Sequence, residues 1–191
     1  MQRNPESPWN PAYPVEVTPD EYEQQVVEWL SRAGSDLKDF HVRHRTLLLG
    51  SAGEYEFDAV AEFTILGGAR LVLLVECKRW RRPVDREVLL GLDAKLRDVG
   101  AHKAMVVSTC GFQKGALDYA AGRGIATVTF IDGRWLYETK SLFNQSAEPP
   151  PWIRSPRFAG QLLSVVDGRI CAHLVDEQQV DAIRGWLCSS P

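Results

Sequence analysis

Glu56-Phe57-Asp58-Ala59-Val60-Ala61-Glu62-Phe63-Thr64-Ile65-Leu66-Gly67-Gly68-Ala69-Arg70-Leu71-Val72-Leu73-Leu74-Val75-Glu76-Cys77-Lys78 sets two runs of branched apolar residues on either side of a Gly-Gly pair. The pattern predicts a β-hairpin with strands over 56–66 and 70–78. A turn centred on Gly68 places Asp58 across from Lys78 and Val60 across from Glu76. Side chains alternate faces along a strand, so Asp58, Glu76 and Lys78 then share one face at the end of the hairpin. A two-residue turn at Gly67-Gly68 would slip the pairing and put Asp58 on the other face. A shared site therefore requires an odd-length loop or a bulge, and Gly-Gly can supply either.

Two carboxylates and an ammonium converging there suit a hard divalent cation beside a group that handles protons or steadies charge. Metal-assisted phosphodiester hydrolysis needs that combination. The plainer reading of Glu76-Cys77-Lys78 is a same-face ion pair. The preceding Asp58 and the flanking apolar strands favour the catalytic one.

Composition bounds the class. The 191 residues suffice for one full core domain with an appendage, and 45% hydrophobic with 25% charged residues is ordinary for a soluble globular protein. No apolar run reaches transmembrane length and Met1-Gln2-Arg3-Asn4-Pro5 begins no signal peptide, so the expected address is cytoplasmic with no membrane partner. Cys77, Cys110, Cys171 and Cys188 form no Cys-x-x-Cys, which indicates neither a zinc site nor a disulfide framework. A net charge of −3 argues against a generic polyanion binder. Locally the balance differs: Lys78 to Arg86 holds five basic residues against one acidic, and a second basic cluster covers His41 to Arg45. Such runs are usually solvated faces. The first begins inside the proposed metal site, which favours phosphate contact there.

Residues 1–18 are proline-rich and read as an extended arm. Thr18, Pro19, Asp20 and Glu21 form a helix start with a capping box, and the helix stops near Gly34. A strand follows over 40–49, then the hairpin, a helix from Pro83 to about Val99, a strand over 104–108, a helix over 112–121 and a strand over 125–131. Trp135 to Phe143 reads as a short helix. The order α-β-β-β-α-β-α-β predicts an α/β fold with a mixed central β-sheet flanked by helices on both faces. The main domain is thus expected over 19–143, a stiff Pro-rich linker over 144–157, and a small hairpin-helix extension over 158–191. In that extension Asp167-Gly168 marks the hairpin and 180–187 the helix. It is too small to be comfortably stable alone and is expected to pack on the core or on a partner.

Five segments in order resemble the Mrr-like branch of the PD-(D/E)xK nucleases, the catalytic domain of type IV restriction endonucleases. They are Tyr22-Glu23-Gln24-Gln25-Val26, Glu56-Phe57-Asp58-Ala59-Val60, Val75-Glu76-Cys77-Lys78-Arg79-Trp80, Ser108-Thr109-Cys110-Gly111-Phe112, and the stretch from Ile125 to Leu136. The resemblance covers about 20–137 and implies the restriction-endonuclease-like fold. It further implies that Asp58, Glu76 and the Cys77 backbone carbonyl hold Mg²⁺, with Mn²⁺ able to substitute. Lys78 would orient or deprotonate the attacking water. Glu23 is a candidate outer or second-metal ligand, or else an exposed helix glutamate. Phe57 stands where the superfamily often has proline, a frequent departure. Arg79, Arg81 and Arg82 are candidate DNA contacts or a solvated face, and Trp80 is read as packing before base stacking. Cys77 points to the opposite face, and no His is placed to activate it as a nucleophile.

The expected activity is a metal-dependent endodeoxyribonuclease in DNA restriction or defence, with room for a homodimer. A Holliday-junction-like or repair nuclease shares this core. A non-cleaving nucleic-acid or partner-binding module is the competitor from another class, but it has no physical need for three converging charges.

Overall fold

The computed structural model describes residues 17–132, 158–166, 169–176 and 186–187. Thr18 caps α1 (Pro19–Ala33): its hydroxyl accepts the Glu21 N–H at 3.2 Å, and the Glu21 carboxylate accepts the Thr18 N–H at 2.7 Å. This reciprocal box satisfies two donors that the first turn would otherwise leave unmatched. Thr18→Ala is expected to lower the melting temperature by roughly 2–4 °C. A circular-dichroism melt that does not move would show that the box is idle.

Tyr22, Val26, Trp29, Leu30 and Ala33 recur at helical spacing and are buried. They pack on one face of the sheet against Ala59, Ala61, Phe63, Leu73, Val75 and Cys77. Fully burying a large apolar side chain contributes about 1.5–3 kcal/mol, so four of them anchor a helix whose outer face is polar.

The chain continues through β1 (Lys38–Leu49), β2 (Glu54–Ile65), β3 (Ala69–Lys78), α2 (Arg86–Asp98), β4 (Lys103–Ser108), α3 (Lys114–Arg123) and β5 (Ala126–Asp132). Two further strands, β6 (Phe158–Val166) and β7 (Arg169–Asp176), complete the described elements. The seven described strands form one sheet in sequence order. The β3–β4 and β4–β5 pairs are parallel, with α2 and α3 as their crossovers, and the other pairs are antiparallel. A mixed α/β sheet with helices on both faces is therefore what the chain builds. Consecutive crossovers of one hand place α2 and α3 on the same side. There Leu89, Leu92, Ala116 and Ala120 meet Phe57, Val60, Leu74, Ala104 and Val106. Beyond β5, β6 pairs with it antiparallel, so the 158–176 hairpin is hydrogen-bonded into the sheet.

The hairpin register differs from the one read in the sequence. Ile65 pairs with Ala69 and Ala59 with Val75. The turn is therefore a three-residue loop, Leu66-Gly67-Gly68, centred on Gly67 rather than Gly68. Leu66 adopts φ 45° and Gly67 φ 77°, and Gly68 N–H returns to the Ile65 carbonyl at 3.0 Å. Continuing this register sets Asp58 opposite Glu76 instead of Lys78, and Val60 opposite Leu74. The odd-length loop required by a shared site is present.

Two helices start later than expected. Val84 pairs with Phe112 in an isolated bridge, with Val84 N–H on the Gly111 carbonyl and Gln113 N–H on the Val84 carbonyl, both at 2.9 Å. Residues tied into that bridge cannot also open helices, so α2 begins at Arg86 and α3 at Lys114. The arm up to residue 16, the linker, the 135–143 helix and all but Trp186 and Leu187 of the 180–187 helix lie outside the described residues. Among the described residues, no helix is long and apolar enough to cross a membrane.

Candidate active site

Three elements carry the site. On β3, Leu73, Val75 and Cys77 point into the α1-side core, while Leu74 lies in the α2/α3-side core. Alternation then assigns Glu76 and Lys78 to the second side. Both keep limited access to water, with side chains 17% and 19% exposed. Lys78 Nζ lies 2.5 Å from Glu76 Oε1.

Asp58 reaches them from β2 at a place where the period-two alternation breaks. Ala59 and Ala61 pack on the α1 side, yet Phe57 packs with Val60 on the α2/α3 side. The neighbouring strand switches faces as well, with its register to β2 unbroken from His41 to Leu49: Phe40 and Val42 pack on the α1 side, Leu48 on the other. At this switch Asp58 Oδ2 accepts the backbone N–H of Cys77 at 2.6 Å, which ties the carboxylate to β3. The structure thus brings Asp58, Glu76, Lys78 and the Cys77 backbone together.

Burial is the main force on Asp58 and pushes its pKa up to about 6. The Cys77 N–H opposes that shift, the Glu76 charge adds to it, Lys78 opposes it, and Glu23 adds to it. One oxygen of each carboxylate is engaged, by Cys77 N–H and by Lys78. Asp58 Oδ1 and Glu76 Oε2 accept no hydrogen bond from the described residues. Two such oxygens in a half-buried site that is short of positive charge are the donors a hard dication takes. The residues present therefore fit a divalent cation.

Glu23 projects from α1 with a side chain only 13% exposed, so it is not an exposed helix glutamate. Its Oε2 lies 2.8 Å from His44 Nε2 and 3.1 Å from Arg45 Nε. Ligand atoms of Asp20, Glu23 and His44 come within 4.8 Å of one another. Arg45 already sits among them, 3.0 Å from Asp20, and meets their charge, so this group forms an ion-pair cluster. The other half of the 41–45 basic run is also committed: Arg43 (2.6 Å), His41 (3.5 Å) and Arg70 converge on Glu62. That run, read as a solvated face, instead pairs within the protein.

Arg79, Trp80, Arg81 and Arg82 line one open groove directly after Lys78. The Arg82 guanidinium stacks 4.6 Å from the Trp80 ring centre and bridges to Asp85 at 2.9 Å, and Lys78 Nζ is 5.7 Å from the same ring. Trp80 also packs on the α2/α3-side core, as its packing reading expects. Thr109 holds this loop: its N–H donates to the Lys78 carbonyl at 3.1 Å and its hydroxyl to the Trp80 carbonyl at 2.9 Å. The thiol of Cys77 is buried in the α1-side core, and that burial pushes its pKa well up.

Thr109 and the His44–Arg45 pair are site neighbours that sequence reasoning assigned no role. The only signals were the Ser108-Thr109 turn and the basic run itself.

A sequence model of the Mrr catalytic domain, described as restriction endonuclease, matches residues 15–139. The chain belongs to the Mrr-type restriction endonuclease family. The match contains Glu23, Asp58, Glu76 and Lys78, and it ends before β6. Residues 15–139 are thus a restriction-endonuclease-type catalytic domain by family. No curated protein matches the chain. A solved structure described as "Protein of Unknown Function AF1548" aligns with 21% sequence identity and a TM-score of 0.43, covering 56% of each chain. The Mrr-type chain thus spans just over half the length of that structure.

Proposed function

We propose that this chain is a divalent-metal-dependent endodeoxyribonuclease acting in DNA restriction or defence. The observation that carries the reading is the juxtaposition of Asp58 and Glu76 across β2 and β3, each with one oxygen unclaimed among the described residues, beside the Lys78 ammonium. Asp58, Glu76 and the Cys77 carbonyl would hold Mg²⁺ or Mn²⁺. When bound, the cation would polarise the scissile phosphate and acidify a water. Lys78 sits where it can take or orient a proton and steady charge on the phosphate oxygens. Its contact with Glu76 fixes the ammonium there, and the Thr109 bonds fix the backbone behind it. The restriction role rests on family membership, which also makes DNA the expected substrate.

Purified protein incubated with plain plasmid, modified DNA and a cruciform, each with Mg²⁺, Mn²⁺ or EDTA, tests the proposal. Metal-dependent nicking of a duplex supports it. Cleavage confined to the cruciform transfers the chain to the junction nucleases. Binding without cleavage under every condition makes it a non-cleaving module.

The groove after Lys78 is the proposed DNA contact. Changing Arg79, Arg81 and Arg82 together to Ala is expected to weaken association evenly across sequences. It should also flatten the dependence of log affinity on log salt by about 0.9 for each lost phosphate contact. Arg82 is already shared with Asp85 and Trp80, so its own part should be smaller than that of a guanidinium not so held. Unchanged affinity and slope at low salt would make this loop a solvated face.

A further inference from the structure

Arg45 lies in β1 between His44, which pairs with Ala59, and Thr46, which pairs with Phe57; it therefore stands across the ladder from Asp58. In a regular antiparallel pair, directly opposed side chains share a face and interact. An extended Arg45 would set a guanidinium against the Asp58 carboxylate. The backbone does otherwise: Arg45 adopts φ 43°, a left-handed conformation unfavourable for a non-glycine residue inside a strand. Its guanidinium turns instead toward α1, where it meets Glu23 at 3.1 Å and Asp20 at 3.0 Å. The charges it feels are those of Glu23, Asp20 and Glu56, with Asp58 not among them. His44 Nε2 meets the same Glu23 oxygen, Oε2, so among the described residues Glu23 is gripped through that one oxygen. Arg45 thus links Glu23 to the rung that carries Asp58, and Tyr22, next to Glu23 on α1, packs in the same core as Cys77, so the gripped carboxylate lies on the α1 side of that rung.

We propose that Arg45 is a positioning residue of the metal site: its left-handed backbone withdraws a guanidinium from Asp58, and with His44 it fixes the Glu23 carboxylate on the α1 side of Asp58. A strained residue directly opposite a functional carboxylate, tolerated despite its cost, is where such a device is expected. The inference rests on the metal-site reading above and adds the residues that orient it from outside. Partners that orient a metal-site carboxylate typically account for about 10–100-fold in metal affinity.

The test is Mn²⁺ affinity, measured by calorimetry on the full chain for wild type, Arg45→Gly, Glu23→Gln and the double variant. Glycine accepts φ 43° without strain, so Arg45→Gly removes the guanidinium while keeping the backbone. Arg45→Gly is expected to weaken Mn²⁺ binding by about tenfold. In the Glu23→Gln background the same change should add nothing, because both act through one carboxylate. Equal Mn²⁺ affinity in wild type and Arg45→Gly overturns the proposal, as does full additivity in the double variant. Wild type that binds no Mn²⁺ overturns the metal-site reading itself, a result distinct from either. Should Arg45→Gly fold poorly, Arg45→Asn takes its place with the same deciding outcomes, since Asn also tolerates the left-handed region.

Discussion

Lys78→Ala is expected to reduce DNA cleavage by roughly 10²–10⁴-fold, the range for removing a positioned proton-transfer group. The ammonium touches Glu76 Oε1 and no other described carboxylate. Its loss frees an oxygen of a proposed metal ligand without dismantling the site. Metal affinity should therefore hold or rise while turnover collapses. Affinity and rate that fall together would make Lys78 a structural partner of Glu76; a wild-type rate would remove it from the chemistry. Single-turnover nicking of plasmid, beside Mn²⁺ titration of the same variant, separates these outcomes.

Asp58→Asn is expected to abolish metal-dependent cleavage and to stabilise the metal-free protein at neutral pH. The Asp58 carboxyl holds its proton in the native state up to about pH 6, against 3.8 for the free side chain, chiefly because it is buried. Below pH 3.8 both folded and unfolded forms are protonated, and the group costs nothing. As pH rises from 3.8 to about 6, the unfolded chain gives up the proton while the native state retains it, so wild-type stability falls. Above that window the penalty is constant. Asn does not titrate and can still accept the Cys77 N–H. The melting-temperature gain of Asp58→Asn over wild type should thus be absent at the acid end, grow through the window and level off above it. A gain of a few degrees is expected for a chain of this size. Melts in EDTA across that pH range measure it, and titrations common to both proteins cancel in the difference. Added Mg²⁺ should raise wild type and leave the variant unmoved. A variant that gains as much from Mg²⁺ as wild type would mean that Asp58 is no ligand.

The hairpin was legible because branched apolar residues flank Gly67-Gly68 and because an acidic residue and Glu-x-Lys sit at its open end. Its register was not. The loop recruits Leu66 into a left-handed conformation, and nothing in a leucine's chemistry announces that. The break in alternation at Asp58 was equally hidden, and it coincides with another left-handed residue, Arg45, across from it in the adjacent strand. The site residues could still be named, because a three-residue loop preserves the parity that sets Asp58 with Glu76. The basic run over 41–45 read as a solvated face, but its partners, Glu23 and Glu62, lie 19 or more positions from the residues they pair with and meet them only in the fold. Similarly, the 161–174 hairpin could be read from Asp167-Gly168, but its pairing with β5 could not. Period and turn chemistry are local signals, whereas strand order depends on where the chain returns.

The most direct test is anomalous diffraction from a crystal soaked in Mn²⁺. The expected result is a peak bounded by the Asp58 and Glu76 carboxylates and the Cys77 carbonyl, lost in Asp58→Asn. A peak confined to Asp20, Glu23 and His44, or none at saturating Mn²⁺, would contradict the assignment of Asp58 and Glu76 as the metal-binding centre.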